Sequence, residues 1–174
     1  MEKHFELTDE TIEVAGNTMH RIRCTRDCKW AKTGDLGGFI EKEDNLSGNA
    51  WVSDNARVYG NAWVSDNARV YGDARVYGNA RLAGDARVYG NARLAGKARV
   101  AGNDDHCGFD VFGSIGRHTH AYRTSDGGVE ITCGCFHGDI EAFEAKVRHT
   151  HGDSQYAREY LAIAHVIRVK FGLA

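Results

Sequence analysis

Histidine and cysteine crowd the last third of the chain: His106, Cys107, His118, His120, Cys133, Cys135, His137, His149 and His151. Imidazole and thiolate are the side chains that hold zinc and its neighbours in the transition series. Residues two apart on a strand face one side, so His118 with His120, and Cys133 with Cys135, could converge on an ion. The C-x-C spacing is not the C-x-x-C knuckle of structural zinc sites, however, and alternating strand residues serve equally as core or surface. No metal or other cofactor is expected, with those four residues the candidates should one bind. A second set is cationic and aromatic. Arginine recurs at Arg57, Arg69, Arg75, Arg81, Arg87, Arg93 and Arg99, and tyrosine two residues later at Tyr59, Tyr71, Tyr77 and Tyr89. Guanidinium and phenol together grip phosphates, bases and carboxylates. Cys24 and Cys28 flank basic residues, a setting that lowers a thiol pKa, but no base is paired with either.

The arginines and tyrosines belong to one six-residue sentence, variants of G-N-A-R-V-Y, running from Leu46 to Asn103. An aliphatic residue stands at every sixth position: Leu46, Val52, Val58, Val64, Val70, Val76, Leu82, Val88, Leu94 and Val100. This period fits neither a helix nor a meander of hairpins; it fits a parallel β-helix. Alanines from Ala50 to Ala98 sit two residues before each aliphatic and must point the same way, which predicts a thin, dry core of paired methyl and branched side chains. Gly-Asn and Asp-Asn steps between them tolerate positive φ and mark the corners.

The repeat resembles the hexapeptide-repeat, left-handed parallel β-helix family, in which three hexads make one triangular coil of 18 residues. With Ile40 in register, the resemblance implies about three and a half coils, a prism roughly 17 Å tall at the strand spacing. Its open ends need covering. Many members of that family are trimeric acyltransferases with a catalytic histidine between subunits, and others are carbonic-anhydrase relatives with histidines projecting from the coils. Here no histidine lies in the repeat and no looped insertion carries an acceptor site, so an enzyme is not expected. The run R-I-R-C-T-R followed by K-T-G-D-L-G-G-F-I-E-K-E-D-N-L-S resembles the lead-in of repeat proteins encoded by bacteriophages and prophages. The run from Cys133 to Ala162 resembles a small C-terminal module of the same proteins, which implies no established activity.

The expected fold class is mainly β: a β-helix over 40–103, an N-terminal hairpin cap and lead-in over 1–39, and an α+β module over 104–174. Alternation in Thr11–Val14 and Met19–Arg23 around Ala15-Gly16-Asn17 predicts the hairpin. In the module, strands near Phe109–Phe112 and Thr119–Thr124, and a hairpin partner at Val129–Cys133, precede two helices, a ββαα layout. Asp139 should cap a helix over about 140–149. A second helix should follow Asp153 or Ser154 with Tyr156, Tyr160, Ile163, Ile167 and Phe171 as one buried stripe. Lys plus Arg against Asp plus Glu is 7 to 10 over residues 1–45, 8 to 4 over 46–103 and 7 to 10 over 104–174. The repeat is the basic part. The polar start, the absence of a long apolar run and five irregularly spaced cysteines predict a cytoplasmic chain with reduced thiols and no membrane partner.

Stacking at 18 residues sorts the outward residues into three faces. One carries Arg57, Arg75 and Arg93 beside Tyr59 and Tyr77. A second has Trp51, Arg69 and Arg87 beside Tyr71 and Tyr89. The third has Trp63, Arg81 and Arg99, but beside them only Ser65, Ala83 and Ala101, small residues that permit subunit packing in a dimer or trimer. Stacked arginines repel, so either corner acids such as Asp73 and Asp85 pair with them or an outside anion does. The expected function is that of a non-catalytic, phage-encoded binding protein, a counter-defence factor that occupies a bacterial defence protein or nucleoprotein. The alternatives are a sponge for an anionic signalling nucleotide or other nucleic acid, a virion component, and an acyltransferase-like enzyme.

Overall fold

The hexad register folds as a β-solenoid. A computed structural model describes residues 3–174, which divide into two units, Met1–Asn103 and Asp104–Ala174. The first opens with β1 (Phe5–Val14) and β2 (Asn17–Cys24), an antiparallel pair joined through Ala15 and Gly16, whose positive φ values of 51° and 80° suit a tight hairpin. Next comes β3 (Leu36–Ile40). Nine two-residue strands complete the repeat: β4 (Trp51–Val52), β5 (Arg57–Val58), β6 (Trp63–Val64), β7 (Arg69–Val70), β8 (Arg75–Val76), β9 (Arg81–Leu82), β10 (Arg87–Val88), β11 (Arg93–Leu94) and β12 (Arg99–Val100).

All pair in parallel at a constant offset of eighteen residues: Phe39 with Arg57, Arg57 with Arg75, Arg75 with Arg93, and likewise on the other two faces. Every sixth-position aliphatic from Leu46 to Val100 is buried, as is every repeat alanine from Ala50 to Ala98. Burying each Val or Leu contributes about 1.5–3 kcal/mol, and the alanine methyl leaves the neighbouring branched chain its room. At the corners, Gly78 has φ +69°, and a Cβ there would lie 2.9 Å from the backbone nitrogen of Gly96 one coil on. Where aspartate takes a corner instead, at Asp54 and Asp66, it adopts positive φ, and its carboxylate accepts from the backbone N–H of Gly72 or Gly84, each at 3.0 Å.

The first coil is covered differently on each face. On one, β2 pairs with β3, extending the sheet to the order β1-β2-β3-β5-β8-β11. The hairpin is therefore a continuation of one wall rather than a lid over the prism. On the second face His4 is buried, its Nε2 2.9 Å from the carbonyl oxygen of Ala50, with its ring 6.0 Å from that of Trp51. On the third, the Asn45 side-chain amide donates to the carbonyls of Ala62 at 2.8 Å and Gly60 at 3.2 Å. Each device satisfies edge groups that an open solenoid would leave unpaired.

The second unit is an antiparallel meander of four strands, β13 (His106–Phe112), β14 (Arg117–Arg123), β15 (Val129–Cys133) and β16 (Phe136–Gly138), followed by α1 (Ile140–His151) and α2 (Gln155–Phe171). The sequence hides β16 because it is three residues long and ends in glycine; the layout is ββββαα, not ββαα. Asp139 caps α1 by accepting from the N–H of Ala142 at 2.8 Å, and Ser154 caps α2 by accepting from that of Ala157 at 3.3 Å. The α2 stripe is buried as expected at Tyr160, Ile163, Ile167 and Phe171 but not at Tyr156. Tyr156 is 40% exposed, whereas Ala157, Tyr160, Ile163, Ala164, Ile167 and Phe171 pack with Phe143, Val147 and Ile131. Tyr156 follows the Ser154 cap by two residues, and its ring instead meets His151 edge to face. Among the described residues, no helix is long and apolar enough to cross a membrane.

Candidate functional site

The first face of the solenoid presents its arginines in a column. Phe39, Arg57, Arg75 and Arg93 are successive partners along one sheet, and strand alternation turns all four outward, opposite to Ile40, Val58, Val76 and Leu94. Two residues on, Tyr59 and Tyr77 stack with ring centroids 5.2 Å apart and planes within 7°. Burial, and then the Tyr77 phenol, hold the Tyr59 hydroxyl above its ordinary pKa, so it is a neutral donor at any physiological pH. Adjacent guanidiniums about 5 Å apart repel by about 0.8 kcal/mol even at the dielectric of water. The tyrosine stack contributes about 0.5–1.5 kcal/mol, enough to offset one such contact.

Corner acids do not neutralise this column. Asp85 pairs with Lys29 at 2.9 Å, and Asp73 accepts from Asn55 at 3.3 Å. Arg57 and Arg75 have no carboxylate partner among the described residues, and the Arg57 Nε is buried with no acceptor. At Arg57 and Arg75 the column thus has guanidinium donors to spare.

The second face carries the same residues to a different end. Trp51 is 2% exposed beneath His4, which removes it from any binding surface. Arg69 and Arg87 lie 5.6 and 5.2 Å from the ring centroid of Trp30, which also lies under Lys29 at 4.8 Å and donates its Nε1 proton to the carbonyl of Asn67 at 2.9 Å. The indole therefore covers this column with a cation–π contact at each level. Beyond it Tyr71 and Tyr89 stack at 5.3 Å, and Tyr89 is 55% exposed. On the third face Trp63 is 38% exposed with Arg81 over its ring at 5.6 Å, and Ala83 and Ala101 leave the surface beside them low.

Sequence reasoning missed Trp30. It lies outside the repeat, and no periodicity marks it. The suspicion of a reactive thiol at Cys24 is corrected by its burial, which raises the pKa; its Sγ donates to the carbonyl of Arg26 at 3.1 Å. All five cysteines are free.

In the second unit the two candidate pairs separate. Thr119 lies opposite Cys133 and donates to its Sγ at 3.3 Å, so His118 and His120, its neighbours on β14, turn to the other side of the sheet. There they form a line with His106: Asp110 Oδ1 to His118 Nδ1 at 2.6 Å, His118 Nε2 to His120 Nδ1 at 3.3 Å, and His120 Nε2 to His106 Nδ1 at 3.1 Å. Gly108 makes the line possible, because a Cβ there would lie 2.8 Å from the His118 ring.

With the rings neutral, Asp110 fixes the His118 proton, each later ring donates back along the line, and His106 Nε2 is left a buried lone pair without a partner. Burial lowers the pKa of His106 to about 4, aided by Lys170 and opposed by Asp105. Burial, followed by repulsion from His106 and His118, takes His120 well below its ordinary value. Among the described residues no group of three or more His, Cys, Asp or Glu side chains is arranged to hold a metal ion. The three imidazoles bond to one another and to Asp110, with His106 Nε2 left over.

The YdcK β-solenoid repeat model matches residues 50–66, 64–76 and 68–85, all within the hexad register. The chain is similar to that repeat over those coils. No curated protein matches it.

Proposed function

We propose that the protein is a non-catalytic binding protein that presents the Arg57–Arg75–Arg93 column, flanked by Tyr59 and Tyr77, to an acidic protein or nucleoprotein surface. The observation that carries this reading is that Arg57 and Arg75 stand one coil apart with no carboxylate partner among the described residues, beside a coplanar tyrosine pair. A flat, rigid array of planar donors at the strand spacing suits carboxylates or phosphates displayed on a surface. The Trp30-covered face supplies stability and Tyr89. Trp63, Ala83 and Ala101 form the packing face of a homo-oligomer.

The likeness of the hexads to the hexapeptide-repeat family supports a left-handed coil, and that of the lead-in and C-terminal runs to phage and prophage repeat proteins supports a phage origin. In that setting the bound surface belongs to a bacterial defence complex, and occupying it is counter-defence. Growth into a virion fibre is disfavoured because β2, His4 and Asn45 already occupy the edges of the first coil. A sponge for a signalling nucleotide differs by experiment: micromolar nucleotide would raise its melting temperature. The test of the leading reading is capture from host lysate, with partners identified by mass spectrometry, alongside a phage-protection assay. Substituting Arg57, Arg75 and Arg93 together by alanine should abolish capture and protection while leaving the fold intact. Unchanged capture by that variant would remove this face from the account.

A further inference from the structure

The second unit holds a cleft of about 260 Å3 whose lining includes Arg117 and Lys146 but no Asp or Glu. That is unexpected in a unit with ten acidic and seven basic side chains. Two carboxylates on the helices are engaged elsewhere. Glu144 binds Arg168 at 2.8 Å and Arg148 at 3.7 Å, and Glu159 accepts from the backbone N–H of Gly113 at 2.9 Å. Arg117 and Lys146 have no carboxylate partner among the described residues.

The position of Arg117 is prepared by the backbone. Gly134, in the turn between β15 and β16, has φ +60°, and a Cβ there would lie 2.2 Å from Arg117 Nη1. Any other residue would push the guanidinium off its seat. Behind the cations stands a wall of rings. Phe136 and Phe143 lie 5.4 Å apart, Phe143 meets Tyr160 edge to face at 6.0 Å, and Tyr160 donates its hydroxyl proton to the carbonyl of Phe112 at 3.3 Å. Phe143 and Tyr160 belong to the packed core of the unit, so the wall is rigid.

We propose that this cleft binds a small organic anion, a carboxylate or phosphate monoester with a flat apolar body, the head group held between Arg117 and Lys146 and the body against Phe136, Phe143 and Tyr160. The volume lies just under the roughly 300–1,000 Å3 of drug-sized sites, which suits a monocyclic acid and excludes a dinucleotide. An apolar wall with a few convergent polar groups is the usual composition of such sites, and a bidentate guanidinium opposite a point-charge ammonium recognises either head group.

The test titrates the full chain with benzoate, phenyl phosphate and benzyl alcohol, reading NMR shifts at Phe136, Phe143 and Tyr160. At least one anion should saturate these shifts below about 1 mM, and the alcohol, which keeps the ring and loses the charge, should bind about ten-fold more weakly or worse. The tighter anion identifies the head group. Lys146→Ala, an exposed helix position, should weaken the anion about ten-fold with the melting temperature unchanged, and Arg117→Gln should do the same or more. Failure of both anions to saturate, equal binding of the alcohol, or parental affinity in Lys146→Ala would each overturn the proposal.

Discussion

Both units stack basic side chains about one strand apart, and they resolve the resulting repulsion in opposite ways. Along the solenoid, Arg57 and Arg75 lie at a partly exposed surface and have no carboxylate partner among the described residues. In the C-terminal unit, His106 and His120 are buried and neutral and bond to each other at 3.1 Å. Guanidinium cannot shed its proton at any accessible pH, whereas imidazole can. An arginine column consequently stays cationic, whereas a histidine line can be neutral and bonded within the unit. Within the solenoid the same contrast recurs more mildly: Arg69 and Arg87 have the indole of Trp30, and Arg57 and Arg75 have no equivalent ring among the described residues.

The largest effect should come from acid. His106 has a folded-state pKa of about 4 against 6.5 for the free side chain, so the unfolded chain binds the extra proton over that interval. Its contribution is fully present above pH 6.5 and lost as pH falls towards 4, about 3 kcal/mol in all. Protection factors of the β14 and β15 amides, which discount the intrinsic slowing of exchange in acid, should fall across this window more than those of β8 and β11, although the unit of β8 and β11 also holds His4, whose pKa burial lowers. An equal fall in both units would erase the contrast between neutral and charged stacks.

Next in size is Trp30→Ala, which removes a half-buried indole and its cation contacts. Unfolding should show a loss of about 2 kcal/mol. Replacing Arg57, Arg75 and Arg93 together by alanine should change stability by less than about 1 kcal/mol, since relief of repulsion offsets the lost packing of the stems. If the two variants were equally destabilised, the distinction between a covered and an open column would fail. Smallest of all, Lys29→Ala removes the exposed pair with Asp85 and one exposed cation contact of Trp30, and should cost about 0.5 kcal/mol or less at physiological salt.

The repeat was legible because its physics is periodic. A six-residue sentence with Ala and Val two apart admits one packing, and burial from Ala50 to Val100 follows it position by position. What the repeat cannot encode is how its faces differ. Trp30, His4 and Asn45 are single residues outside the register, and each acquires its role through a contact with a residue 15 to 46 positions away. In the second unit, Asp139 and Ser154 announced both helices through their caps. The histidine line was not readable, because pairing of His118 with His120 is suggested by alternation while the approach of His106 depends on the register of β13 against β14. The cleft cations are likewise hidden: Arg117 and Lys146 are ordinary surface residues until Gly134 and the ring wall bring them to one place.

The most direct measurement compares two arginine sets in one experiment: quantitative capture from host lysate by the parent, by the triple alanine variant at Arg57, Arg75 and Arg93, and by a double alanine variant at Arg81 and Arg99 on the third face. Loss of the retained partner from the triple variant alone is the predicted result. Retention by the triple variant, or equal loss from both, would contradict the claim that the open column is the binding surface.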